Sequence, residues 1–142
     1  MGSQELDNLV KIGRLKAEVA SRQEFEGMVK SARRGLTDAQ NTSIDPDSQF
    51  DLAIEAAHKF ALAVLRQRGY RSEDRTTVFQ ALVHTLGTDN ADLRIFLRAH
   101  NERNLAAYEG RLDIDHKLLR DLVSATKRLE AAVGKLASPK SE

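Results

Sequence analysis

The sequence predicts an all-α protein, an antiparallel up-and-down bundle of four main helices with one or two short ones beside them. Three observations lead there. Apolar residues recur at spacings of three and four along most of the chain, the period of a helix that lays one face on a core. No stretch shows the period-2 alternation of Val, Ile, Thr and aromatics that marks a strand. Only two prolines occur, Pro46 and Pro139, so long helices are allowed, and the short connections between them favour antiparallel neighbours.

Gln4 to Ile12 carries Leu6, Leu9 and Val10 at helical spacing and stops at Gly13, which gives a short helix and then a connector from Arg14 to Ala20. Ser21-Arg-Gln-Glu24 is a capping-box signature, and Phe25, Met28, Val29, Ala32 and Leu36 follow on one face, so a helix runs over 22–40, weakened by Gly35. Asn41 to Pro46 is rich in turn formers. From Asp47 the chain is apolar on nearly every side, from Leu52 through Leu65, and such a helix belongs at the centre of the bundle. Gly69 ends it. Ser72-Glu-Asp opens the next helix with a cap and two acidic residues, and Val78, Phe79, Leu82, Val83 and Leu86 carry its apolar face to Gly87. Asp89 to Gly110 is a third long helix. Asp113 or Asp115 caps the last one, whose seam is Leu118, Leu122, Thr126, Leu129, Val133 and Leu136. The organisation is thus a short N-terminal helix and connector over 1–20, a bundle over 21–137 and a polar tail over 138–142.

Composition excludes several classes. A chain of 142 residues with 22 basic and 21 acidic side chains has no global field of either sign, so nucleic-acid binding requires a local patch. Arg66, Arg68, Arg71 and Arg75 form one such cluster, read either as a solvated helix end or as phosphate contacts. There is no cysteine, and the four histidines lack metal-ligand spacing, so neither a disulfide framework nor a metal or other cofactor is expected. No apolar run approaches the roughly 20 residues needed to cross a bilayer, which points to a cytoplasmic protein with no membrane partner.

The helix from Asp89 to Gly110 holds the candidate functional residues. With about 100° of rotation per residue, Leu93, Phe96, Leu97 and Ala107 share an arc roughly 100° wide, and His100 and Asn104 fall in its middle. Arg103 lies at one margin of that arc and Tyr108 at the other. Polar groups on an inward face need partners, since an unpaired buried one costs about 1–3 kcal/mol. Either His100 and Asn104 tie helices together while Arg103 snorkels, or the three line a polar cleft between helices or subunits. His58, on the shoulder of the central helix, is read first as a packed imidazole hydrogen-bonded to a neighbouring helix and otherwise as part of a ligand site.

Arg103-Asn-Leu-Ala-Ala-Tyr-Glu-Gly110, with Phe50-Asp-Leu-Ala-Ile-Glu-Ala-Ala-His58 and Gly69-Tyr-Arg-Ser-Glu-Asp74, resembles a HEPN domain (higher eukaryotes and prokaryotes nucleotide-binding) over about residues 21–136. The resemblance implies a four- to five-helix bundle that dimerises. It also implies a motif of an arginine, a polar residue and, four to six residues on, a histidine, which in active members cleaves RNA without a metal at the dimer interface. Other members are partners of a small nucleotidyltransferase in bacterial toxin–antitoxin or defence modules. Arg103 and Asn104 match the motif, while Tyr108 stands where the histidine belongs, so the motif is degenerate. The function implied is binding of a nucleotide, an RNA or a nucleotidyltransferase partner by a homodimer, through Arg103, Asn104, His100, Tyr108 and His58. The alternatives are a metal-independent endoribonuclease toxin using Arg103 with His100 or Tyr108, and a structural bundle without a ligand. His100, one turn before Arg103, can handle a proton while Arg103 steadies phosphate charge.

Overall fold

A computed structural model describes residues 4–110 and 115–140. The bundle is all-α in class, as expected. In chain order it comprises α1 (Gln4–Lys11), β1 (Lys16–Ala17), α2 (Arg22–Ala39), α3 (Pro46–Arg68), β2 (Tyr70–Arg71), α4 (Arg75–Gln80), α5 (Leu82–Thr85), α6 (Asn90–Glu109) and α7 (His116–Val133).

Most of the predicted boundaries hold for the predicted chemical reasons. The Ser21 hydroxyl accepts the Glu24 amide at the start of α2. Pro46 occupies the first turn of α3, where its missing N–H costs nothing, and Gly69 closes that helix at φ 90, a conformation glycine adopts without strain. Asp89 and Asp115 cap α6 and α7 through their carboxylates; the other candidate, Asp113, lies outside the described residues. The start of α4 differs from expectation. Asp74 is its cap, accepting the Thr76 amide, while Ser72 accepts the Asp74 amide one step earlier. The helix expected to run on to Gly87 is broken at Ala81 into α4 and α5, and Val83 is exposed rather than on the apolar face.

Side-chain contacts fix the directions. Gln49 reaches the Ala39 carbonyl, Lys59 the Ser31 hydroxyl and Arg66 the Glu24 carboxylate, so α3 runs back along α2. Asp92 pairs with Arg128 and Arg98 with Asp115, which sets α6 and α7 antiparallel as well. At the centre stands α3, in contact with α2, α4, α5, α6 and α7. Its Phe50, Ile54, Phe60, Val64 and Leu65 are buried among alanines that let the neighbours come close.

A short antiparallel bridge joins the connector after α1 to the end of α3. Lys16–Ala17 pairs antiparallel with Tyr70–Arg71, and the Glu18 amide donates to the Gly69 carbonyl at 2.9 Å. Two-residue strands have no periodicity to detect; a buried arginine holds this one. Arg66, only 1% exposed, donates to the backbone carbonyls of Glu18, Val19 and Tyr70 and to the Glu24 carboxylate. A buried guanidinium is tolerable only when its donors are satisfied in this way. Leu6 and Leu15 join the same core, and the Tyr70 hydroxyl donates to Asp7 at 2.5 Å, so the N-terminal segment packs on the bundle.

Candidate functional site between α3, α4 and α6

On α3, Asp51, Glu55 and His58 follow at intervals of four and three and therefore share a stripe. Four side chains from two other helices meet this stripe: Arg75 and Phe79 from α4, and His100 and Arg103 from α6. Arg75 donates to both oxygens of Glu55, at 2.5 and 3.2 Å. The Arg103 Nε lies 2.8 Å from the Asp51 Oδ1. Both of these atoms are shielded from solvent and neither has a hydrogen-bond partner, so the approach is off the N–H direction and the contact is one of charge alone. Phe79 stacks on Phe96 at 5.4 Å and lies against both imidazoles, with ring centroids 6.1 Å from His58 and 6.4 Å from His100.

Electrostatics keep both imidazoles neutral. Burial, followed by the charge of Arg75, pushes His58 down to about 4, and the same two causes lower His100. Its Nε2 is buried without a hydrogen-bond partner, so His58 is packed as expected but lacks the expected bond at that atom. Burial raises the Asp51 carboxyl above its ordinary range; Arg103 opposes this, and Asp47 and Glu55 reinforce it. For Glu55 burial also works upward, but the hydrogen bonds and charge of Arg75 outweigh it and hold that carboxylate low.

The α6 residues are arranged differently from the predicted stripe. Phe96 and Ala99 are its buried residues, with Asp92, Arg103 and Ala106 half-buried on the same side. The inward direction is therefore rotated roughly 80° from the expected one. The physical reason is that small Ala99 and Ala106 permit close helix contact, while Asp92 turns inward to take Arg128 through two hydrogen bonds. Arg103 consequently moves from the margin to the inward side and Asn104 moves out. Asn104 is exposed, its Nδ2 3.3 Å from the His100 Nε2. Tyr108, two turns beyond His100, is 93% exposed, and Ala107 is exposed rather than in the core. His100, Asn104 and Tyr108 thus form a line that leads from the half-buried cluster to the surface.

The structure brings together His58, His100, Arg103 and Asn104, and places Tyr108 at the open end of the same line. Asp51, Glu55, Arg75 and Phe79 join them, none of which the sequence marks as a residue of this site. A signal existed for the first two: carboxylates at positions 51 and 55, in register with His58, on a helix otherwise apolar all round. Each arginine of the cluster around the end of α3 has a partner within the protein. Arg66 is buried, Arg71 pairs with Glu18 and Glu24, Arg68 donates to the Thr85 carbonyl and Arg75 holds Glu55.

No group of three or more metal-ligating side chains occurs among the described residues, and no helix there is long and apolar enough to cross a membrane. No family model, no curated protein and no solved structure matches the chain.

Proposed function

We propose that the chain is a HEPN-like homodimeric protein that binds RNA or a nucleotide on the face formed by His100, Arg103, Asn104 and Tyr108, as part of a toxin–antitoxin or defence-type module. The observation that carries the reading is the arrangement along α6. A partly open guanidinium, an imidazole with an amide beside it, and a fully presented phenol ring follow one another toward solvent. Those are the three contact types that single-stranded RNA uses: phosphate to arginine, base edge to amide or imidazole, and base face to aromatic ring.

A second reading, a metal-independent endoribonuclease, is favoured by one specific feature. His100 is held neutral and sits one turn from Arg103, so it can accept a proton from a ribose hydroxyl while the guanidinium steadies the phosphate. The binding reading ranks first because Tyr108 projects into solvent and because burial and the Arg75 charge disfavour the imidazolium form of both histidines, the form that would protonate the leaving oxygen.

Incubating the purified protein with total and defined RNA, with and without EDTA, beside Arg103→Ala and His100→Ala while light scattering records the mass, separates the readings. A dimer that retains RNA without cutting it, and loses it in Arg103→Ala, is the expected result. Cleavage that resists EDTA and disappears in both variants would replace binding by catalysis, and a monomer indifferent to RNA would remove both.

A further inference from the structure

The two arginine–carboxylate pairs of the site are unequal. Glu55 and Arg75 are joined by two hydrogen bonds, and their donors and acceptors are matched. Asp51 and Arg103 touch at 2.8 Å with neither atom hydrogen-bonded. Their side chains are 45% and 38% exposed, so an anion from solution has a route to the guanidinium. A half-exposed ion pair contributes little to stability even when well formed, and this one lacks the geometry that would make it strong. Phosphate oxygens match the guanidinium fork through two parallel hydrogen bonds, which a carboxylate approaching off the N–H direction does not use.

We propose that Asp51 is a placeholder on Arg103, its carboxylate standing where a ligand's phosphate comes to lie and leaving when that phosphate binds. The inference rests on the reading of Arg103 as a phosphate contact. Burial and the nearby Asp47 and Glu55 already disfavour the Asp51 carboxylate where it is, which makes its departure less costly. Asp51 therefore sets the affinity of the site from inside the protein, and Glu55, fixed by Arg75, does not.

The test is a titration of a fluorescein-labelled single-stranded RNA oligonucleotide followed by anisotropy, with thermal melts to verify folding. It uses the wild type, Asp51→Asn, Arg103→Ala, their double variant, and Asp47→Asn as a control that removes the same charge one turn away. Asp51→Ser is a second variant of the same position, expected to act in the same direction. Inorganic pyrophosphate and adenosine diphosphate, added as competitors, tell whether free phosphates or only RNA displace the carboxylate. Asp51→Asn is expected to tighten RNA binding about three- to tenfold, Asp47→Asn to change it by less than about twofold in either direction, and the gain from Asp51→Asn should vanish when Arg103 is alanine. If Arg103→Ala weakens binding but Asp51→Asn also weakens it or leaves it unchanged, Asp51 positions the arginine or is idle, and the placeholder is wrong while the RNA reading stands. If no variant binds RNA, or Arg103→Ala binds as the wild type does, the RNA reading fails and takes the placeholder with it.

Discussion

His58 shows how a single position couples burial to pH. Its imidazole is held neutral, with a folded-state value of about 4 against an ordinary 6.5. Between those values the unfolded chain binds a proton that the folded chain refuses, so stability is complete above about pH 6.5 and falls as the pH drops toward 4. The loss attributable to this group is roughly 1–3 kcal/mol. His100, lowered by burial and Arg75, adds to it in the same direction, whereas Asp51, raised, works in the opposite sense at the acid end. Urea denaturation of His58→Leu at pH 7 and pH 5 should show a smaller acid loss than the wild type and no large loss at pH 7, because the variant removes a buried nitrogen that has no partner. An unchanged acid loss would show that His58 titrates normally. The presence of His58 on α3 was legible in the sequence. Its surroundings were not, because Arg75 and Phe79 arrive from a helix whose docking no local pattern encodes.

At the scale of elements, helix ends were the most legible part, since caps act within a few residues. Helix faces were less so. On α6 the periodicity of Leu93, Phe96, Leu97 and Ala107 points to one face, yet Ala99 and Ala106 and the inward Asp92 set the rotation, and that choice is made by α7 and α3. Gly35 illustrates the same dependence on neighbours. A methyl group added there would meet the Ala56 Cβ at 3.6 Å and the Leu52 carbonyl at 3.8 Å, ordinary contact distances. Gly35→Ala should therefore stabilise the protein by about 0.5–1 kcal/mol through helix propensity, read as a higher melting temperature; a lower one would mean that α2 and α3 pack closer than these distances. The two-residue strands depend on Arg66, which ties the connector before α2 to the end of α3. Removing it in Arg66→Ala leaves three carbonyls without that donor and the Glu24 carboxylate with Arg71 alone, and the expected cost is about 3–5 kcal/mol in urea denaturation. A loss below about 1 kcal/mol would assign this buried cluster no structural role.

For the molecule as a whole, the fold class followed from helical periodicity and short connections, properties that a sequence displays directly. The network around the site did not, since Asp51 with Arg103 and Glu55 with Arg75 join residues far apart in the chain. Near-zero net charge means that any attraction for RNA has to come from this local arrangement rather than from a general field. The salt dependence of RNA binding by the wild type and by Arg103→Ala tests that requirement. If Arg103 contacts a phosphate, the logarithm of affinity falls with the logarithm of salt concentration, and the variant's slope is shallower by about 0.7, the value for one phosphate contact on a single strand. Parallel lines for the two proteins, or affinity indifferent to salt, would exclude a phosphate contact at Arg103.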